Sequence, residues 1–310
     1  MKAVEKDIQD RIRAHGLNLD GRRLPYGFGA AWLRTPDKVA VLEAAYTKGF
    51  RYFDTSRDYG ESERIVGRFL KQVPRGSLFL ATKSHIFEAA VIDSTDPAVS
   101  QRSVAQWILK SFEESLERLG TDYVDLYQIH DVDSLAHLDL ALEELKRLQA
   151  EGQIRWIGLA TRDLGLLEQG LDRGAFDTIL TYSDFTPLRQ TAASVLRRAA
   201  KTSCGRINAS PLGGWGLMRG VDPRTLRFPR ATGEKFAREM ELAASFYDLC
   251  QAIGASPLTF ALQFPIMNSD IDITLTGPET LEQLTGTLNN LTQPIDPLRW
   301  RAWDRWRKAL

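Results

Sequence analysis

Cysteine is the scarcest useful residue in this chain. Only Cys204 and Cys250 occur among 310 residues, far apart and outside any CxxC spacing. That excludes a disulfide scaffold and a cysteine-built zinc site, and points to free thiols in a reducing compartment. Net charge is missing too: 40 Lys and Arg balance 40 Asp and Glu. A neutral chain offers no bulk electrostatic case for nucleic acid or an anionic membrane. No apolar run approaches membrane-spanning length. The first residues, MKAVEKDIQDRIRAHG, are charged and lack the apolar core of a signal peptide. A cytoplasmic setting is expected, and the Asn208 and Asn290 sequons read as chance matches. No His/Cys/Asp/Glu cluster has ligand spacing, so no metal is expected. His15 and His137 read as surface residues. No P-loop or Ser-His-Asp arrangement stands out.

What is present is a rhythm. Strand-like runs fall at Leu24–Phe28, Tyr52–Asp54, Leu78–Thr82, Tyr123–Ile129, Ile154–Leu159, Thr178–Tyr182, Arg206–Ala209 and Ile271–Leu275. Amphipathic stretches lie between them: Pro36–Lys48, Ser62–Leu70, Val104–Leu119, Leu135–Ala150, Leu164–Arg173, Leu188–Ala200 and a longer region through Phe264. Thr35 before Pro36 reads as an N-cap. Gly49, Gly120, Gly152 and Gly174 stand where helices should stop. Eight β/α pairs in series predict an α/β fold, a closed (β/α)8 TIM barrel, with residues 1–310 as one domain. A doubly wound sheet would want G-x-G-x-x-G after its first strand, and Gly27-Phe28-Gly29-Ala30-Ala31-Trp32 lacks it. Leu17–Leu24 reads as an N-terminal β-hairpin on an Asp20-Gly21 turn. Long loops at the C-terminal ends of the strands are expected at His85–Gln101 and Gly213–Gly233. Trp300, Trp303 and Trp306 read as one face of a packing helix, with a substrate lid as the alternative.

Four separated residues carry the chemistry: Asp54, Tyr59, Lys83 and His130, in FDTSRDYGES, FLATKS and LYQIHD. Three stand at or just past strand ends, where barrels place their sites, and Tyr59 follows Asp54 by five positions. Alone, each has a plain structural explanation: a cap, a loop residue, a solvated lysine, a core histidine. Together on one rim they can move a proton at neutral pH. A lysine ammonium beside a phenol is expected to lower its pKa from about 10. The aspartate would hold the lysine, and the histidine would orient a substrate oxygen.

This set, with Gly60, Glu61 and Glu63 after the tyrosine, resembles the catalytic tetrad of the aldo-keto reductase family. The likeness runs from the hairpin near Asp20, which is similar to the family's floor plug, to about Asn290. It implies a nicotinamide dinucleotide bound without a Rossmann fold, with the hydride chemistry supplied by the cofactor. Residues implied to contact that cofactor are Ala160, Thr161, Thr181, Ser210, Pro211, Leu212, Gly277, Glu279, Thr280 and Gln283. Several depart from the family pattern. Ala160-Thr161 stands where Ser-Asn is usual, Thr181 where Gln is usual, and Ala209 where an aromatic often stacks. TILTYSDFTPL, NASPLGGWGLM and QIHDVD look similar to the family's aldose dehydrogenases, which oxidise a sugar hemiacetal to a lactone. The alternatives are a general aldehyde or ketone reductase and a non-catalytic cofactor-binding sensor subunit. No Lys or Arg occurs between Arg238 and Arg299. A 2′-phosphate wants such donors, so NAD is favoured over NADP. Arg219, Arg224 and Arg227 are the cations that could reverse this. Glu279 and Glu282 read either as acceptors for a ribose hydroxyl or as a solvated first helical turn. Trp32, His85 and Trp215, with Phe87, are expected to line a pocket for a small carbonyl or sugar substrate. Asp131 and Asp133 read equally as binders of sugar hydroxyls or as a strand-end turn. Nothing in the sequence fixes an oligomeric state.

Overall fold

The structure, a computed structural model, describes residues 8–86, 97–132, 135–228 and 233–310. It begins with α1 (Ile8–Ala14) and a two-stranded hairpin, β1 (Asn18–Leu19) and β2 (Arg22–Arg23). Asp20 and Gly21 both have positive φ, 50° and 81°, as a tight two-residue hairpin turn requires. Then come β3 (Tyr26–Gly29), α2 (Val39–Thr47), β4 (Tyr52–Asp54), α3 (Ser62–Leu70), β5 (Phe79–Ile86), α4 (Pro97–Leu119), β6 (Val124–Val132) and α5 (Leu135–Ala150). The chain continues through β7 (Ile154–Ala160), α6 (Leu164–Arg173), β8 (Thr178–Tyr182), α7 (Ala193–Ala199), β9 (Gly205–Ala209), α8 (Glu234–Ala252), α9 (Pro257–Gln263), β10 (Ile273–Thr276), α10 (Leu281–Thr292) and α11 (Pro297–Lys308). Strands β3 to β10 pair in parallel, each with its neighbour in sequence, and β10 closes on β3. This is the expected (β/α)8 barrel. Among the described residues no single helix is long and apolar enough to cross a membrane.

Every barrel strand is covered on both faces, which is why the strands read as near-continuous apolar runs. The inward set includes Tyr52, Phe79, Leu126, Leu180, Ile207 and Ile273, and α1 adds Ile8 and Ile12 from below. Tyr52, Phe79 and Trp156 stack in series, with centroids 4.7 and 5.6 Å apart. The outward set, including Phe28, Phe53, Tyr127, Ile157 and Ile179, packs under the helices. The floor is therefore closed by α1 and the hairpin, and the open end lies at the strands' C-termini.

Several boundaries differ from expectation for local reasons. Leu24 belongs to the hairpin, donating to Leu17 O, so β3 starts beyond Pro25. Residues 36–38 form a 3-10 turn before α2, and Thr35 makes no side-chain cap. Residues 188–192 are not helical. Thr186 Oγ1 accepts from Leu188 N and Arg189 N, and Gln190 Nε2 donates to Thr186 O. Such a local turn competes with a helix start. Helix α4 begins at Pro97, inside the loop expected to reach Gln101; residues 87–96 of that loop, with Phe87, lie outside the described residues, as do Asp133 and residues 229–232. His137 is buried within α5 rather than at the surface. Helix α11 packs on α8 and α9 instead of over the mouth: Trp303 Nε1 donates to Pro187 O, Trp306 Nε1 to Ser245 Oγ, and Trp300 meets Phe260 at 4.5 Å.

Candidate active site

Alternation along the strands lifts one set of side chains to the open end. Asp54 follows Tyr52, Lys83 follows Ala81, and Gln128 and His130 follow Leu126, all on the inward face. The β5–β6 register sets Lys83 beside Gln128. Lys83 Nζ donates to Asp54 Oδ1 and, at 2.9 Å, to Thr55 O. Gln128 Nε2 donates to Asp54 Oδ2 at 3.1 Å. The pair is buried, Asp54 at 3% and Lys83 at 1% exposure. Burial pushes the Asp54 carboxyl above its ordinary pKa, against the pull of Lys83 and Gln128.

Tyr59 stands on the turn between β4 and α3, and the motif around it fastens that turn. Ser62 Oγ donates to Ala30 O at 2.8 Å. Glu63, fully buried, accepts from Thr82 Oγ1 and Arg118 Nε, both at 2.7 Å. The Tyr59 ring lies 5.1 Å from Lys83 Nζ and edge-on to His130 at 5.7 Å. Its phenol is pushed well above the ordinary value by burial and by Asp54, Asp58 and Asp131, with Arg34 opposing. The expected depression by Lys83 is not found. The ammonium is paired with Asp54 and a carbonyl, so little of its field is left to favour a phenolate. This upward shift favours the neutral phenol, the proton-donating form.

His130 sits 3.5 Å from Ser56 Oγ through Nδ1. Burial, with Lys83 and His85 nearby, lowers its pKa to about 3, so it is neutral. His85 is the opposite case. Burial works against its charge, but the Asp131 and Asp58 carboxylates on either side outweigh this and raise it to about 9. Asp58, His85 and His130 bring ligand-type atoms within 4.8 Å of one another. His85 Nδ1 lies 2.8 Å from Asp58 Oδ2 and Nε2 lies 3.6 Å from Asp131 Oδ2, the geometry of an ion pair for a charged imidazole.

The remaining expected residues divide. Trp32 is 61% exposed at the mouth, with the Arg34 guanidinium 5.8 Å from its ring, so it is no core residue. Trp215 is half-exposed at φ 61° and meets Phe228 and Phe236. Ala160 ends β7 on the inward face, and Thr161 Oγ1 accepts from Asp163 N at 3.0 Å. Thr181 is displaced from the site. It pairs with Asn208 on the outward face, whereas Leu180 and Tyr182 point inward. Ser210 is exposed at φ 56°, Pro211 is buried and Leu212 is half-buried. Thr280 Oγ1 accepts from Gln283 N, and Gln283 Oε1 accepts from Glu279 N. Both side chains thus cap α10. Sequence reasoning missed Gln128, Asp58 and Tyr182. Gln128 was legible two positions before His130 on the same strand. Tyr182 shared the inward period of β8; its hydroxyl donates to Asp131 at 3.4 Å and its ring lies 6.4 Å from His130. Asp58 lies on a turn with no period to betray it.

The sequence pattern of the Aldo/keto reductase family matches residues 27–308. The chain belongs to the aldo/keto reductase family. It is 31% identical over 285 residues to the L-galactose dehydrogenase of Arabidopsis thaliana, covering 86% of this chain and 84% of that protein. It is 29% identical over 290 residues to a D-threo-aldose 1-dehydrogenase of a Pseudomonas species, covering 84% and 86%. A probable aldo-keto reductase 1 of Glycine max is 25% identical over 276 residues, covering 86% and 76%. This aldo/keto reductase is an oxidoreductase of a family that uses nicotinamide cofactors. The open end fits such a group. At Gly277 an added Cβ would come 2.7 Å from Gly29 O, so backbone lines the seam between β3 and β10. The exposed Ser210 follows directly on β9, the strand next to β10. Helix α10 begins just past this seam, with the positive end of its dipole at Leu281.

Proposed function

We propose that this aldo/keto reductase acts as a single barrel domain (1–310) and is an aldose 1-dehydrogenase, oxidising the cyclic hemiacetal of a sugar to a lactone with NAD. The observation that carries the oxidoreductase chemistry is the mouth cluster of Tyr59, Lys83, Asp54 and His130. The sugar class is supported by the likeness over most of the chain to two aldose-oxidising relatives, and by a rim that is rich in carboxylates.

Bound, the oxidised nicotinamide supplies the hydride acceptor and a positive charge. Once ionised, Tyr59 Oη takes the proton of the anomeric hydroxyl and becomes the neutral phenol. The Asp54–Lys83 pair holds the floor beneath the phenol and fixes its surroundings. His130, neutral, offers an N–H to the substrate oxygen without competing for its proton. Exposed faces of Trp32 and Trp215 suit the apolar side of a sugar ring. Ala160, Thr161, Ser210, Pro211, Leu212, Gly277 and Glu279 are the positions for cofactor contact. Thr280 and Gln283 act through the α10 cap, and Thr181 has no direct part.

The experiment is turnover on a sugar and aldehyde panel, with Tyr59→Phe beside wild type. Losing one general acid–base group costs about 10²–10⁴-fold in turnover, while NAD affinity should hold within about twofold. A Tyr59→Phe protein with near wild-type turnover would sink the assignment. One observation favours a second reading, a general aldehyde reductase: the Tyr59 phenol is held protonated, the form that reduction needs. The two differ in pH dependence. Sugar oxidation should climb with pH as Tyr59 ionises, whereas aldehyde reduction should be fastest at neutral pH and fade in alkali.

A further inference from the structure

Two positions past Lys83, His85 ties together parts of the rim that lie far apart in sequence. Asp58 Oδ2 accepts from the His85 backbone N–H at 3.1 Å and lies 2.8 Å from Nδ1. Asp131 Oδ2 stands 3.6 Å from Nε2 on the other side. The two imidazoles are 4.1 Å apart between centroids. Trp107 Nε1 fixes the His85 carbonyl at 2.9 Å. Asp131 stands at φ 57°, in the left-handed region that an Asp side chain can adopt.

Two imidazoles this close cannot both carry a proton's charge cheaply. The carboxylates decide which one does. Both approach His85, one at each nitrogen, whereas His130 has Lys83 on its own side of the barrel. We propose that His85 is a positioning residue: held as an imidazolium between Asp58 and Asp131, it keeps the neighbouring His130 neutral and in place to donate to a substrate oxygen. Its catalytic half rests on the oxidoreductase chemistry assigned to the mouth cluster; the charge assignment does not. The titratable and charged groups around the pair are Lys83 on the same strand as His85, Asp54, Asp58 and Tyr59 from β4 and its turn, Asp131 from β6, Tyr182 from β8 with Arg162 over its ring, and Arg34 beside Tyr59. The opposite shifts of the two imidazoles, His85 up and His130 down, agree with this division, and paired groups pushed apart by their surroundings mark divided roles.

The chain has 4 histidines, so ring-labelled full-length protein gives a tractable NMR titration, run with EDTA present. In wild type His85 should stay charged beyond about pH 8 and His130 neutral below about pH 5. In His85→Gln the midpoint of His130 should rise by at least about one unit, because Asp58 and Asp131 then act on it unopposed. The acid limb of kcat/KM should move up with it, with NAD affinity changed less than about twofold. His85→Lys should restore the low His130 midpoint by returning a cation, which a role in packing alone would not do. An identical His130 titration in wild type and His85→Gln overturns the proposal. So does an acid limb that stays put while the titration moves. If His85→Gln does not fold, Asp131→Asn should lower the His85 midpoint by about one unit or more, and an unmoved midpoint overturns it. Absence of turnover on every sugar and aldehyde would count against the dehydrogenase alone, because the titration needs no substrate.

Discussion

Lys83 and Asp54 are almost wholly buried, and each is the other's main compensation. Removing one partner leaves a desolvated charge, which typically costs about 3–5 kcal/mol, whereas removing both charges costs far less. Lys83→Met should therefore lower stability by that order, and Asp54→Asn with Lys83→Met should be the more stable of the two. Urea unfolding of both variants measures this. A single variant within about 1 kcal/mol of wild type would mean that Asp54 takes up a proton easily, in line with its upward shift. The two rim histidines give a pH signature. His85 has its folded pKa raised from 6.5 to about 9. Its contribution is fully present below about pH 6.5 and is lost as pH rises toward 9. His130 is lowered to about 3, so the folded state resists a proton that the unfolded chain accepts, and stability falls as pH drops from 6.5 toward 3. Each slope is at most about 1.4 kcal/mol per pH unit. Subtracting the urea midpoints of His85→Gln from those of wild type should isolate a fall between pH 6.5 and 9. A flat difference across that window would refute the charged clamp.

Elements whose ends are set by the chain itself were legible. Strands β4 and β8 and helices α3, α5 and α6 lie where apolar period and punctuation put them, and Gly174 closes α6 in the left-handed conformation at φ 57°. Elements whose ends depend on a partner were not. The start of α7 is decided by a Thr186 side-chain turn, and that of β3 by Leu24 joining the floor hairpin. The site divides the same way. Asp54, Lys83 and His130 were readable because inward alternation at strand ends is a local pattern. The Asp58–His85–Asp131 clamp joins three segments through geometry that no spacing records. Floor and wall meet at Gly49, with φ 103°, where an added Cβ would lie 1.9 Å from Asn18 O and Asn18 N donates to Gly49 O at 3.0 Å. Gly49→Ala should cost more than about 2 kcal/mol, from strain plus displacement of the hairpin. Gly152→Ala is the control. It shares a positive φ of 81° but has open space at Cβ, so only the conformational cost of about 1–2 kcal/mol applies. Equal urea midpoints for the two variants would show that the hairpin gives way freely.

Charge over the whole molecule balances, so cofactor choice rests on where cations stand and not on how many there are. From Glu239 to Leu298 the chain has no Lys or Arg, and this stretch includes the β10–α10 turn with Glu279 and Glu282. Of the loop arginines after β9, Arg219 is tied to the carbonyls of Trp215 and Gly216 at 2.6 and 2.9 Å. Arg224 is held by Asp222 and Asp248. Arg227 is exposed and is the one cation of the three that no such pair holds. Among the three arginines weighed, a 2′-phosphate would thus meet only Arg227 free of such a pair, together with carboxylates, whereas a 2′-hydroxyl can donate to them. NAD should bind at least about tenfold more tightly than NADP, a difference of about 1.4 kcal/mol. Trp32 and Trp215, both exposed at the open end, make intrinsic fluorescence the natural titration signal. Glu279→Arg should bring the two dissociation constants within about tenfold of each other by supplying the missing donor. Tenfold tighter NADP in the wild-type protein would overturn the preference. If Arg227→Ala then abolished that tighter binding, Arg227 would be the residue that holds the phosphate.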